Sequence, residues 1–106
     1  MADENGAGRA RITVVFPLYR AAASVAELVE AVARQRPPAG ADPARWAEVI
    51  FMDDASGDGT AARLRQELDI AGLPLRVRVV ENERNVGLAR SLNRALGMVE
   101  TDYVLT

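Results

Sequence analysis

Apolar and polar positions along the chain fall into two alternating regimes: short β-branched runs, and longer stripes of helical period. Ile12-Thr-Val-Val-Phe16 is a run of the first kind. Pro17 has no N–H for a sheet ladder and marks the run's expected end. Ser24 and Glu27 have the spacing of a capping box, and Val25, Leu28, Val29 and Val32 follow at i, i+3, i+4 and i+7, which predicts a helix to about Arg36. The turn formers of Pro37-Pro-Ala-Gly-Ala-Asp-Pro43 make the longest interior loop. Val49-Ile-Phe-Met52 is continuously apolar, as a strand covered on both faces must be, and it stops at Asp53-Asp54. After a turn rich in Asp, Ser and Gly, Thr60 is placed to cap a second helix with Ala61, Leu64 and Leu68 on one face, ending near Gly72 and Pro74.

Residues 75–80 alternate Leu75, Val77 and Val79 with Arg76 and Arg78, which predicts a third strand with an exposed, charged face, suited to a sheet edge. A polar turn at residues 82–85 leads to a third helical stripe, Leu88, Leu92, Ala95, Leu96 and Val99, expected to be core. Tyr103-Val-Leu105 begins a fourth strand. The resulting order, β-α-β-α-β-α-β, defines an α/β class: a mostly parallel sheet with helices on both faces and an expected strand order of 3-2-1-4. Residues 1–10 lack periodicity and read as a flexible leader, leaving residues 11–106 as the folded unit.

Composition narrows the chemistry. The chain has 106 residues and a formal net charge of -2; its 13 basic residues are all Arg, and Lys, Cys and His are absent. One core is the most that this length supports. Ser-His-Asp and Cys-His nucleophiles, thiol redox pairs, the usual zinc sites, a P-loop lysine and a Schiff base are all excluded. The slight negative charge argues against a general nucleic-acid partner. The first apolar run is too short for a signal segment or a membrane span, so a cytoplasmic location is the default expectation.

In a parallel sheet the carboxyl ends of the strands share one edge, where ligands bind. The residues due there are Pro17-Leu18-Tyr19-Arg20, Asp53-Asp54 and residues 81–85: a ring that can stack on a base, and carboxylates that can accept from base N–H or ribose hydroxyls. Plainer readings stand beside this one. Tyr19 could simply cover the sheet edge, the Asp53 to Thr60 segment could be only a solvated turn, and Asn85 with Gly87 could be only a helix start. Asp54, Ser56, Asp58 and Gly59 imitate the start of a calcium loop, but Arg65 stands where a bidentate Glu is needed and a strand precedes the loop. Gly57-Asp58-Gly59 follows the second strand and lacks a third glycine, which excludes a dinucleotide fingerprint.

Three segments taken together, Ile12-Thr-Val-Val-Phe-Pro-Leu-Tyr19, Glu48-Val-Ile-Phe-Met-Asp-Asp-Ala-Ser-Gly-Asp-Gly-Thr60 and Asn85-Val-Gly-Leu-Ala-Arg-Ser-Leu-Asn93, resemble the family 2 glycosyltransferases. These are inverting enzymes of the Rossmann-like GT-A fold that use nucleotide-sugar donors. The resemblance implies that Tyr19, with the backbone of Pro17 and Leu18, lies against the donor base and that Asp53 accepts from base or ribose. It implies further that Asp54 and Ser56 shape the same loop, that Asn85 and Gly87 form the turn before the third helix, and that Arg90 approaches the donor phosphates. One departure is Arg20, where the family commonly has Asn. The family's Mg²⁺ or Mn²⁺ is held by an acid-x-acid motif soon after the fourth strand, and its general base lies further on.

The sequence to Thr106 contains neither, so the expectation is the donor-nucleotide-binding front part of a transferase domain, inactive alone, with no catalytic or metal-ligating residue of its own. In the parent enzyme a saccharide, lipid-linked or other acceptor is implied. An uncovered sheet edge would favour self-association. The alternative is a small stand-alone α/β module that binds a nucleotide or a protein without catalysis.

Overall fold

A computed structural model describes residues 11–106; the leader expected over residues 1–10 lies outside the described residues. The elements are β1 (Ile12–Leu18), α1 (Val25–Ala33), β2 (Ala47–Asp53), α2 (Thr60–Ala71), β3 (Arg76–Glu81), α3 (Leu88–Leu96) and β4 (Tyr103–Leu105), with a single 3-10 turn, Ala22–Ser24, leading into α1. The four strands form one sheet in the order β3-β2-β1-β4, and all three pairings are parallel.

Side-chain alternation along β2 explains its unbroken apolar run. Val49 and Phe51 point to one face, where Val25, Val29 and Val32 of α1 and Leu64 of α2 complete the core; Ile50 and Met52 point to the other, against Val15 and Ala95. All seven residues of β2 are buried. Helices therefore cover both faces, two on one side and α3 on the other.

Several local expectations need correction. Pro17 does not end β1, which runs on to Leu18. Alternate residues of a parallel strand turn their backbone polar groups to opposite neighbours. The Leu18 carbonyl accepts from Asp54 on the β2 side and the Arg11 carbonyl from Tyr103 on the β4 side, so Pro17 turns its missing donor toward β4. There β4 pairs only as far as Val14, and no ladder bond is lost.

The Ser24 side chain makes no capping bond, because the chain enters α1 through the 3-10 turn, with the Ser24 N–H donating to the Ala21 carbonyl at 2.8 Å. The helix stops at Ala33 rather than Arg36, ahead of the restriction that Pro37 places on the residue before it. Thr60 is the first residue of α2 and not its cap: its N–H donates to Asp58 Oδ1 at 3.0 Å.

β3 is indeed an edge strand, but its charged face is not simply solvated. Arg78 is half-buried and lies with Arg76 beside the buried Glu48, at 3.8 and 3.9 Å, and its Nη2 donates to the Met98 carbonyl at 3.0 Å. The register pairs Glu48 with Arg76 and Ile50 with Arg78, which brings these charges together beneath the end of α3. The third stripe is also not all core. Ser91 and Ala95 face the sheet, whereas Leu88 is 62% and Leu96 45% exposed. Leu88, Leu92 and Leu96 form an i, i+4, i+8 line one position round the helix from Ser91 and Ala95; half-buried Leu92 packs against the core there, while Leu88 and Leu96 flank the contact instead of making it.

Tyr103, Val104 and Leu105 of β4 are exposed, and among the described residues no strand pairs with its outer edge. An apolar groove of about 370 Å³, lined by Ile12, Val14, Leu28, Trp46 and Leu105 among others, opens on the α1 face. Among the described residues no helix is long and apolar enough to cross a membrane.

Candidate functional site

The strand register sets Leu18, Asp53 and Glu81 level with one another. Backbone bonds stitch the tips just beyond: Asp54 N–H to the Leu18 carbonyl at 2.9 Å, and Asn82 N–H to the Asp53 carbonyl at 2.8 Å. Tyr19, Asp53 and the residues after β3 therefore emerge at one edge, as the sequence leads one to expect.

The loop after β1 is held to the loop after β2 by two buried hydroxyls. Arg20 N–H donates to Ser56 Oγ at 2.7 Å and Ala21 N–H to Thr60 Oγ1 at 3.0 Å. Ser56 Oγ in turn donates to Asp53 Oδ1 at 2.5 Å, with a longer contact of 3.4 Å from Ser56 N–H to Oδ2. The Asp53 carboxylate is thus oriented by Ser56, and Tyr19, 51% exposed, follows Leu18, the register partner of Asp53. Arg20 folds over this ring, its Nε donating to the Tyr19 hydroxyl at 3.1 Å and its guanidinium carbon 5.6 Å from the ring centroid.

Arg20 has φ +53°, in the left-handed region that costs most residues energy and Asn least. The turn therefore asks at this position for a residue tolerant of that conformation. Arg20→Asn is expected to raise the unfolding free energy by about 0.5 kcal/mol, read as a higher urea midpoint. A lowered midpoint would show that the Tyr19 contact outweighs the backbone strain.

Asp54 sits at the centre of the other half. Its Oδ1 accepts from Asn82 Nδ2 at 2.9 Å and Val86 N–H at 2.8 Å, and its Oδ2 from Gly87 N–H at 2.8 Å. Burial disfavours its charged form, but the bonds from Val86, Asn82 and Gly87 outweigh that cost and hold the pKa below the ordinary carboxylate value. Asn85 Nδ2 donates to the Asp54 carbonyl at 3.2 Å. Gly87, with φ +92° and ψ 165°, turns the chain into α3 in a conformation that only glycine adopts readily. Arg90 lies exposed near the start of α3 with no ion pair among the described residues. Asn82 completes the network: its Nδ2 also donates to Ser91 Oγ at 2.9 Å, and its Oδ1 accepts from Arg94 Nη1 at 2.6 Å.

The structure thus places Pro17, Leu18, Tyr19, Asp53, Asp54, Ser56, Asn85 and Gly87 at one end of the sheet, with Arg90 on the adjoining helix. Sequence reasoning placed Asn82 at the edge only as part of the 81–85 turn and gave no role to Ser91 or Arg94. A hint was available for Ser91, a polar residue set between Leu88 and Leu92 on an otherwise apolar stripe. The apolar groove lies away from these tips and offers almost no polar group to orient a nucleotide. Among the described residues no three metal-ligating side chains are grouped, Asp53 is tied to Ser56 and Asp54 is enclosed by donors. The described residues therefore group no set of ligands for a divalent cation.

A parallel sheet with helices on both faces and a ring, a carboxylate and a glycine-led helix at its carboxyl edge defines an α/β fold of the GT-A type. The chain belongs to the glycosyl transferase family 2, whose family model matches residues 13–106. It is 31% identical over 94 residues to EpsE of Bacillus subtilis (strain 168), a protein named as a glycosyltransferase, and 34% identical over 95 residues to the dodecaprenyl-phosphate galacturonate synthase of Rhizobium johnstonii. These matches cover 89% and 90% of this chain but 31% and 26% of the relatives, so the chain spans about a third or less of their length. A solved structure of the mannosyltransferase PcManGT from Pyrobaculum calidifontis, in complex with GDP-Man and Mn²⁺, superposes with a TM-score of 0.72 at 30% identity, covering 89% of this chain and 26% of that one. That neighbour holds a divalent cation and a nucleotide sugar; the cation is expected in the family.

Proposed function

We propose that this chain is the donor-nucleotide-binding part of an inverting glycosyltransferase that uses a nucleoside-diphosphate sugar. The observation that carries the reading is the meeting of Tyr19, Asp53 and the start of α3 at the carboxyl edge of the sheet. Tyr19 would stack on the base beside the backbone of Pro17 and Leu18, while Asp53, oriented by Ser56, would accept from the base or the ribose. Asn85 and Gly87 set the turn that carries Arg90 toward the diphosphate. The nucleotide sugar bound by the mannosyltransferase neighbour supports the substrate class. The acceptor, a saccharide or a lipid-linked one, and pairing of the open β4 edge with further strands or a second copy belong to the same proposal. Transfer by these 106 residues alone is not expected, since no metal-ligating group is assembled among those described.

Titration of ¹⁵N-labelled protein with uridine, thymidine and guanosine diphosphates, with and without Mn²⁺, tests this. Shift changes are expected around Tyr19 and Asp53, with little gain from the metal. Asp53→Ala should weaken binding by about 1 to 3 kcal/mol, the cost of leaving a buried ligand donor unpaired, and Tyr19→Ala should weaken it through lost stacking. A folded sample with no shifts near Tyr19 and Asp53 would remove the donor site.

A further inference from the structure

The two neighbouring acids at the tip of β2 differ in what their oxygens still have to offer. An ionised carboxylate has about four acceptor positions. For Asp54 the chain itself supplies three donors spread over both oxygens: Asn82 Nδ2 and the N–H groups of Val86 and Gly87. The side chain is enclosed as well, the residue being 6% exposed. Asp53 is no more exposed, yet among the described residues its carboxylate accepts from Ser56 alone, so it retains lone pairs for a ligand.

Asp54 also reaches a different part of the molecule. Its bonds to Val86 and Gly87 grip the backbone at the point where the chain turns into α3, and Gly87 there holds a conformation with no local preference to sustain it in another residue. No side chain caps α3, so the direction of its first turn depends on this grip and on Asn85, which bonds the Asp54 carbonyl. Asn82 extends the hold along the helix by bonding Ser91 Oγ and accepting from Arg94.

We infer that the acid pair divides its work: Asp53 is the ligand-contacting carboxylate, and Asp54 is a positioning residue that clamps the 85–87 turn and so aims the start of α3, with Arg90, at the diphosphate. The second half of this inference rests on the nucleotide reading above; the clamp itself does not. Asp54 makes its contribution through Val86 and Gly87, and its removal should be felt by the phosphates of a nucleotide and not by its base.

The test compares uridine with uridine diphosphate on the wild type, Asp54→Asn and Asp53→Asn, together with amide hydrogen exchange of the ligand-free proteins. Asp54→Asn turns an N–H₂ toward N–H donors. It should speed exchange at Val86 and Gly87 and weaken the diphosphate about tenfold, near 1.4 kcal/mol, while uridine still shifts resonances at Tyr19 and Asp53. Asp53→Asn should do the reverse, weakening uridine and leaving exchange at Val86 and Gly87 as it was. Loss of uridine and its diphosphate alike in Asp54→Asn, with those two amides unchanged, would make Asp54 a ligand contact and overturn the inference. If the wild type binds no nucleotide, the functional reading fails, and the exchange comparison still decides whether Asp54 sets the turn. Should Asp54→Asn not fold, Asn82→Ala removes one of the donors. Unchanged exchange at Val86 and Gly87 in that variant would likewise count against the clamp, and faster exchange confined to residues 82–91 would uphold it.

Discussion

Phe51→Ala is expected to lower the unfolding free energy by about 3 to 5 kcal/mol, the scale of truncating a fully buried aromatic residue. Phe51 lies at the centre of β2 with none of its surface exposed, stacked on Phe16 at a centroid distance of 5.3 Å and an interplanar angle of 18°. Val25 and Val29 of α1 and Leu64 of α2 close over it, so one truncation loosens both helices of that face. Small domains hold only about 5 to 15 kcal/mol in total, so the variant should populate the unfolded state already at low urea. Ile70→Ala provides the contrast. Ile70 is 77% exposed on α2, and its loss should stay within about 0.5 kcal/mol. Urea titration followed by far-UV circular dichroism reads both, and a Phe51→Ala midpoint close to that of Ile70→Ala would contradict the core described above.

The second large effect concerns Asp54 and is pH-dependent. Asp54→Ala leaves the buried Asn82 Nδ2 and the part-buried N–H groups of Val86 and Gly87 without this acceptor, and about 3 kcal/mol of destabilisation is expected at neutral pH. Burial opposes ionisation of this carboxyl, yet the bonds it accepts prevail and lower its folded pKa. A folded pKa below the unfolded one, about 3.9 for Asp, means that the stabilisation is fully present above the unfolded value and is lost as pH falls through it toward the folded value. The gap between wild type and Asp54→Ala should therefore be constant near neutrality and narrow in acid. Urea midpoints measured across that range check this, and a gap that stays constant into strong acid would show that the Asp54 charge is not what holds the turn.

Much of this molecule was legible along the chain, for reasons that particular residues make plain. The period-2 and continuous apolar runs located the strands, because β2 lies under helices on both faces and must be apolar at Val49, Ile50, Phe51 and Met52 alike. The acid pair at the end of β2 and the ring after β1 were legible as tip residues because strands stop where polar and turn-forming residues begin. What misled was local. Pro17 looks like a stop unless one knows that β4 is too short to reach it. Ser24 and Glu27 have the spacing of a cap without forming one, and Leu88 and Leu96 continue a stripe that the sheet does not meet.

The sequence by itself determined the alternation of elements, their parallel α/β class, the family likeness and the chemistry that lies out of reach without Lys, Cys and His. These depend on near neighbours and on which residue types are present, and both are written in order along the chain. Only the tertiary structure decided that Asp54 is enclosed by donors while Asp53 keeps acceptor capacity. Val86 and Gly87 come to Asp54 from more than thirty residues away. Such a network depends on the strand register that sets the tips of β1, β2 and β3 level and on how closely α3 lies on the sheet, and neither is a property of any local segment.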